Sequence, residues 1–180
     1  MAEVGMLFNG EMVSAIRRSE NPKTQTRRPV TQVYDTIETT FGEKWPMLWK
    51  SRDGNDTIKR IESPAKPGDV LWVRETWRHA ATDDGHECFA YCADKSYRCG
   101  KPYDNAFGHR WKPSIHMPRR ASRLLLPVVE VRCERVEDIT EADAIAEAFP
   151  SAAAYIAWWK SAYPGKDWCW VYRWEEVVRV

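Results

Sequence analysis

Met6, Leu7 and Phe8 make a short apolar run that fits a buried strand, and Asn9 behind it can cap a helix with Met12, Ala15 and Ile16 on one face. That helix is expected to end by about Ser19. From Val30 to Glu62 the periodicity dissolves into polar residues broken by Gly42, Pro46 and Gly54, with Trp45, Met47, Leu48 and Trp49 as an aromatic knot. This reads as an insertion with a hairpin around Arg52-Asp53-Gly54-Asn55. Val70 to Trp77 is β-branched and aromatic, with Leu71, Val73, Glu75 and Trp77 on one face and Val70, Trp72 and Arg74 on the other. Both faces are partly apolar, which predicts a central strand. Glu75, at the end of the core-facing row, is either hydrogen-bonded in a cleft or paired with an arginine.

Glu87 to Ala93 predicts an antiparallel partner across the Asp83-Asp84-Gly85 turn, and residues 94–112 a second insertion. Pro113 and Pro118 hold His116 and Met117 in an extended segment. A strand begins at Leu124, where Pro127 suggests a bulge or an edge, and Val129, Val131 and Cys133 then alternate with Glu130, Arg132 and Glu134 as in a half-buried strand. Thr140 and Asp143 mark a capped helix start with Ile139 stapled to Ala144, and Glu147 falls half-buried beside a face made by Ala144, Ile145 and Ala148. A second helix from Ala152 to about Ala162 turns Tyr155, Ile156 and Trp159 inward, and Trp168 to Val178 closes the chain as an aromatic strand. Strands interleaved with one helix near the front and a pair before the last strand give an α+β plan, a mixed barrel or a sheet with helices on one side.

Composition narrows the function classes. The 180 residues are 43% hydrophobic, enough for one core, so the expectation is a single domain, 1–180, with insertions at about 30–62 and 94–112. A net charge of +1 gives no global pull toward nucleic acid or membrane, so any basic footprint must be local. No apolar run approaches a bilayer span and no signal peptide is evident, which predicts a soluble, cytoplasmic monomer. Five cysteines at irregular spacings fit reduced thiols. His86, Cys88, Cys92 and Cys99 invite a zinc site, but a regular strand holds Cys88 and Cys92 about 13 Å apart, incompatible with shared coordination. No metal and no cofactor is expected.

Two stretches concentrate chemistry. Asn21 to Pro29 places Lys23, Thr24, Gln25, Thr26, Arg27 and Arg28 between two prolines, read as an exposed, fixed turn that grips phosphate or a nucleobase, or is a solvated connection. Arg119, Arg120 and Arg123 follow the second pair of prolines, as phosphate forks or as protection for a strand edge. His116 fits packing better than catalysis, and Trp72 and Trp77 divide between core and base stacking.

The order of these motifs resembles a known family. A short helix leading into Lys23-Thr24-Gln25-Thr26-Arg27, then Lys66-Pro67-Gly68-Asp69-Val70-Leu71-Trp72-Val73, then Ile139-Thr140-Glu141-Ala142-Asp143-Ala144 and a terminal aromatic strand, is similar to the ASCH domain of the PUA-like superfamily. Arg74-Glu75-Thr76-Trp77 and Pro113-Ser114-Ile115-His116-Met117-Pro118-Arg119 resemble the version found in bacteriophages and prophages. The resemblance implies a PUA-like barrel whose cleft binds nucleic acid or a nucleobase. Some small members deacylate acylated cytidine, which puts the catalytic roles on Lys23, Thr26 and Glu147: a desolvated lysine takes the threonine proton, the hydroxyl attacks the amide, and the glutamate orients or shuttles. This chain departs from that pattern in Arg27 directly after Thr26, and in its two insertions.

Three functions follow as expectations. The first is binding of RNA, single-stranded DNA or a modified nucleoside through Arg27, Arg28, Trp72, Glu75, Trp77, His116, Arg119, Arg120 and Arg123. The second is an amidohydrolase sharing that cleft. The third is a phage accessory protein that docks a protein partner through the Trp45 to Trp49 knot.

Overall fold

The structure, a computed structural model, describes residues 1–30, 35–38, 44–52, 55–82, 85–100 and 110–180, with 35–38, 44–52, 55–60 and 81 described by backbone alone. In chain order its elements are β1 (Glu3–Leu7), α1 (Gly10–Ile16), β2 (Gln25–Pro29), β3 (Asp35–Glu38), β4 (Lys44–Arg52), β5 (Asn55–Arg60), β6 (Val70–Arg74) and β7 (Trp77–Ala81). There follow β8 (Glu87–Tyr91), β9 (Ser96–Tyr97), β10 (Leu124–Pro127), β11 (Glu130–Arg135), α2 (Glu141–Ala146), α3 (Ala152–Ala162), β12 (Trp168–Arg173) and β13 (Val178–Arg179). The architecture is mixed α+β, mostly sheet with few helices. Among the described residues none of its four sheets closes into a barrel.

The chain divides into two compact units, each assembled from separated stretches. The first comprises Met1–Lys23, Gly68–Pro127 and Glu175–Val180. Its larger sheet has the order β1-β6-β10-β13, with β6 parallel to β1 and antiparallel to β10. β6 is therefore central, as its two apolar faces predict, with Leu71 and Val73 fully buried. Gly5 lies opposite Trp72, and a Cβ at Gly5 would meet the indole at 2.5 Å, so only glycine lets the ring lie across β1. The Asn9 side chain accepts from the Met12 amide at 2.8 Å to cap α1, whose buried face is Val13, Ala15 and Ile16, with Met12 only half-buried.

The expected strand from Val70 to Trp77 is broken. β6 stops at Arg74, and Trp77 opens β7 in a second sheet, β7-β8-β9, where it joins Phe89, Tyr91, Met117 and Ala121 in a buried cluster. β7 and β8 pair antiparallel as anticipated; the Asp83 and Asp84 of the connecting turn lie outside the described residues. The segment expected to be extended after Pro113 instead makes two 3-10 turns, Ser114–His116 and Arg119–Ala121, each preceded by a proline that fixes the entry angle. Pro127 makes no bulge: it ends β10 opposite Val70 of β6, beyond the reach of β13, which pairs with Leu124 and Leu125, so the proline has a strand on one side as at an edge.

The second unit comprises Thr24–Pro67 and Val128–Trp174. Its two sheets are β11-β12-β2 and β3-β4-β5, both antiparallel. β4 and β5 pair up to Arg52 opposite Asn55, the hairpin predicted there, with Asp53 and Gly54 outside the described residues. The aromatic knot falls on β4, whose side chains also lie outside them. α2 is capped by Thr140, which accepts from the Asp143 amide at 3.1 Å. α3 is capped by Ser151, which accepts from the Ala154 amide at 3.2 Å. Cys169 and Val171 of β12 pack with Val136, Ile139, Ala144, Tyr155 and Trp159 as one core. Ile145, assigned to the apolar face of α2, is 55% exposed; Ala144 fills that face instead. The final strand ends at Arg173 rather than Val178, because the chain leaves this sheet and returns to the first unit as β13.

Candidate functional site

In the stretch read as an exposed turn only Asn21 and Pro22 are exposed; Lys23 is buried, and Gln25–Pro29 is a strand. Lys23, Gln25, Thr26 and Arg27 are all 1% exposed or less, and β2 pairs with β12 from Gln25 opposite Arg173 to Pro29 opposite Cys169. Polar side chains can be buried here because their partners come with them. Lys23 belongs to the first unit, where its amide donates to the Ala15 carbonyl at the end of α1 at 3.0 Å.

Alternation along β2 divides its side chains between two faces. On the helix-facing side Gln25 and Arg27 enter an ion network. Arg27 donates from Nε to Glu134 Oε1 at 3.0 Å and from Nη1 to Glu147 Oε1 at 3.3 Å, with Asp143 Oδ2 at 3.3 Å from Nη2. Arg132 donates to Glu130, Glu134 and Asp143 at 2.9, 2.8 and 2.8 Å, and Gln25 donates to Asp143 at 3.0 Å. The Arg27 guanidinium also lies 5.6 Å from the Tyr155 ring centroid. Burial alone would lower the pKa of Arg27, but Glu134 and Glu147 raise it, so the cation is locked in place. Burial works to raise the Asp143 pKa, yet hydrogen bonds from Gln25 and Thr140 and the charges of Arg132 and Arg27 bring it down to about 2. Burial raises the phenol of Tyr155 far above its usual range.

Glu147 caps the C-terminal end of α2 and is 3% exposed, deeper than the half-buried position expected. The Thr24 amide donates to the Ala146 carbonyl at 3.0 Å, which ties the start of β2 to that helix end. On the opposite face of the sheet, Thr26 shares a cross-strand row with Tyr172 and Val131. Thr26 is fully buried, and among the described residues its hydroxyl has no hydrogen-bond partner. Arg28 is half-buried, and burial lowers its pKa. Beside this row lies a cavity of about 270 Å³ lined by Ile61, Glu62, Ser63, Ala65, Lys66, Pro67, Val131 and Trp170. The Tyr172 hydroxyl is 2.9 Å from that of Ser63 at its wall.

The remaining candidates belong to the first unit. Arg123 forks onto Glu75 with two contacts of 2.8 Å, reaches Asp94 at 2.8 Å and lies 4.0 Å from the Tyr91 ring centroid. Of the two readings of Glu75, pairing with an arginine is the one found. Arg119 forks onto Glu3 at 2.7 and 2.8 Å, and Arg120 reaches Glu87 at 3.2 Å. Each of these guanidiniums meets a carboxylate of the chain itself. His116 is exposed at the end of a 3-10 turn and is not a packing residue, Trp72 is half-buried, and Trp77 belongs to the core. Among the described residues no three His, Cys, Asp or Glu side chains come together as a metal site.

Sequence reasoning missed Gln25, Arg132, Glu134 and Asp143 as members of the network. The alternating charges of 130–135 read as a solvated strand face; their signal was that Arg27, on a strand of similar period, needs carboxylates of just that spacing. No family model matches the chain, and no curated protein or solved structure matches it either.

Proposed function

We propose that this chain is an ASCH-type, PUA-like protein that binds a nucleobase or a modified pyrimidine nucleoside, rather than gripping a long run of nucleic-acid backbone. The observation that carries the proposal is the Thr26 hydroxyl. A buried hydroxyl with no partner costs about 1–3 kcal/mol, a burden that a functional role for the group would explain. The adjacent cavity supports a ligand of small size: at about 270 Å³ it lies just below the usual range of small-molecule pockets, and Trp170 lines it. Arg123 is buried against Glu75, and Arg119 and Arg120 each face a surface carboxylate, so the three guanidiniums do not form an uncompensated basic patch. Binding should therefore depend weakly on salt.

The same hydroxyl favours a second reading within this site, hydrolysis of an acylated cytidine. Thr26 Oγ attacks the amide carbonyl, its proton passes to the expelled amine, and water then releases the acyl group; it is the family resemblance, not a contact, that assigns the proton transfers to Lys23 and Glu147. Incubation with a panel of nucleosides including acylated cytidine, read by mass spectrometry, separates the readings. Capture without conversion supports binding alone, and deacylated product lost in Thr26→Val and Lys23→Ala supports the hydrolase. Neither capture nor conversion by a folded protein sinks both.

A further inference from the structure

The β8–β9 hairpin brings two thiols together. Ala90 pairs with Tyr97 and Tyr91 with Ser96, and the Arg98 amide donates to the Phe89 carbonyl at 2.8 Å. One step further, the same register sets Cys88 directly opposite Cys99. With the 89–98 pair hydrogen-bonded, the 88–99 pair is of the non-hydrogen-bonded type, where Cα atoms approach to about 4.5 Å and side chains lie closest. That separation falls within the range a disulfide spans. The side chains bear this out: the two sulfurs are 2.7 Å apart, and the Cys99 amide donates to the Cys88 sulfur at 3.2 Å. Both cysteines are free. Cys88 is 3% exposed, whereas Cys99 is exposed, so one thiol is open to a reagent and the other waits behind it. Cys92, by contrast, is half-buried and Cys169 is buried in the other unit's core.

We propose that Cys88 and Cys99 are a reversible thiol–disulfide pair, oxidised by a peroxide. The exposed Cys99 thiolate attacks one peroxide oxygen; the O–O bond breaks, a sulfenic acid forms, and the departing hydroxide takes a proton to become water. Cys88, once its proton is lost, attacks the sulfenic sulfur; the S–S bond forms, the S–O bond breaks, and a second water leaves. Two thiols thus give up two electrons to one peroxide. Burial and the Cys99 contact raise the Cys88 pKa, so it serves as the resolving thiol rather than the first to react. The pair closes the turn that carries Asp94 and Ser96, both of which hold Arg123, so oxidation fastens the support of the Arg123–Glu75 pair.

The test uses the full chain, reduced, freed of reductant and treated with hydrogen peroxide. Trypsin cleaves after Lys95 and Arg98, so a Cys88–Cys99 bond joins two peptides that separate only on reduction. The expected result is loss of two hydrogens in the intact mass, a linked Cys88–Cys99 peptide, and recovery of both thiols with dithiothreitol. Cys99→Ser, a change at an exposed site, should abolish the link, and Cys92→Ser should leave it intact. Oxygen added to Cys99 with no linked peptide, or a link through Cys92, overturns the proposal.

Discussion

Thr26 and Arg27 are neighbours on one strand, and substitution should affect them in opposite ways. Thr26→Val keeps the shape and removes an unsatisfied hydroxyl, so the stability read from urea denaturation should stay level or rise by up to about 1–3 kcal/mol, while nucleoside capture or conversion is lost. Arg27→Ala strands Glu134, Asp143 and Glu147 around an emptied site; the expected destabilisation is about 3–5 kcal/mol, measured by the same denaturation. Asp143 sets a pH dependence. Its folded pKa of about 2 lies below its ordinary 3.8, so the unfolded chain takes up the proton first as pH falls. The stability it contributes is complete above 3.8 and is lost as pH drops toward about 2, a slope that Asp143→Asn should flatten in denaturation curves across that window. At this scale the sequence showed which side chains were unusual but not where their partners were. Lys23, Thr26 and Glu147 came through the family resemblance. Thr26 is covered by a strand pairing with Tyr172 and Glu147 by its bond to Arg27, each between residues more than a hundred positions apart, which no local pattern carries.

Elements with self-contained signals were legible. Asn9, Thr140 and Ser151 each cap a helix through bonds three residues long, and the first two were read as caps from the sequence. Asn9→Ala should cost about 1 kcal/mol, seen as a lower urea midpoint with unchanged slope. The central position of β6 was also visible, since two apolar faces require two covered sides. β2 was hidden because polar strand residues look like a loop until the ion network that neutralises them is assembled. The break at Glu75 and Thr76 was hidden for another reason: both flanking strands are apolar and aromatic, so the alternation runs on across the change of sheet. β1 and β6 offer a sharper test. Gly5→Ala should destabilise by about 1–3 kcal/mol through collision with the Trp72 ring. Adding Trp72→Ala should bring less than the sum of the two single losses, because the collision disappears with the indole.

For the whole chain, the two units are interleaved: the backbone passes between them after Lys23, Pro67, Pro127 and Trp174. Composition indicated one core's worth of apolar residues but could not reveal that the sequence is dealt out in alternating portions, because each portion is locally unremarkable. A chain cut after Pro127 keeps β10 but lacks β13, and it loses β12, the partner of β2, together with β11 beyond it. It should show no cooperative urea transition, whereas removing 175–180 alone should weaken the first unit and leave the β11-β12-β2 sheet formed, a difference hydrogen exchange can resolve. The placement of β13 also bears on birth at the ribosome. Leu124 and Leu125 of β10 find their outer partner only when Val178 and Arg179 have cleared the exit tunnel. Until then the nascent chain presents an open, leucine-rich strand edge, the kind of surface that chaperones cover and that neighbouring nascent chains can pair with.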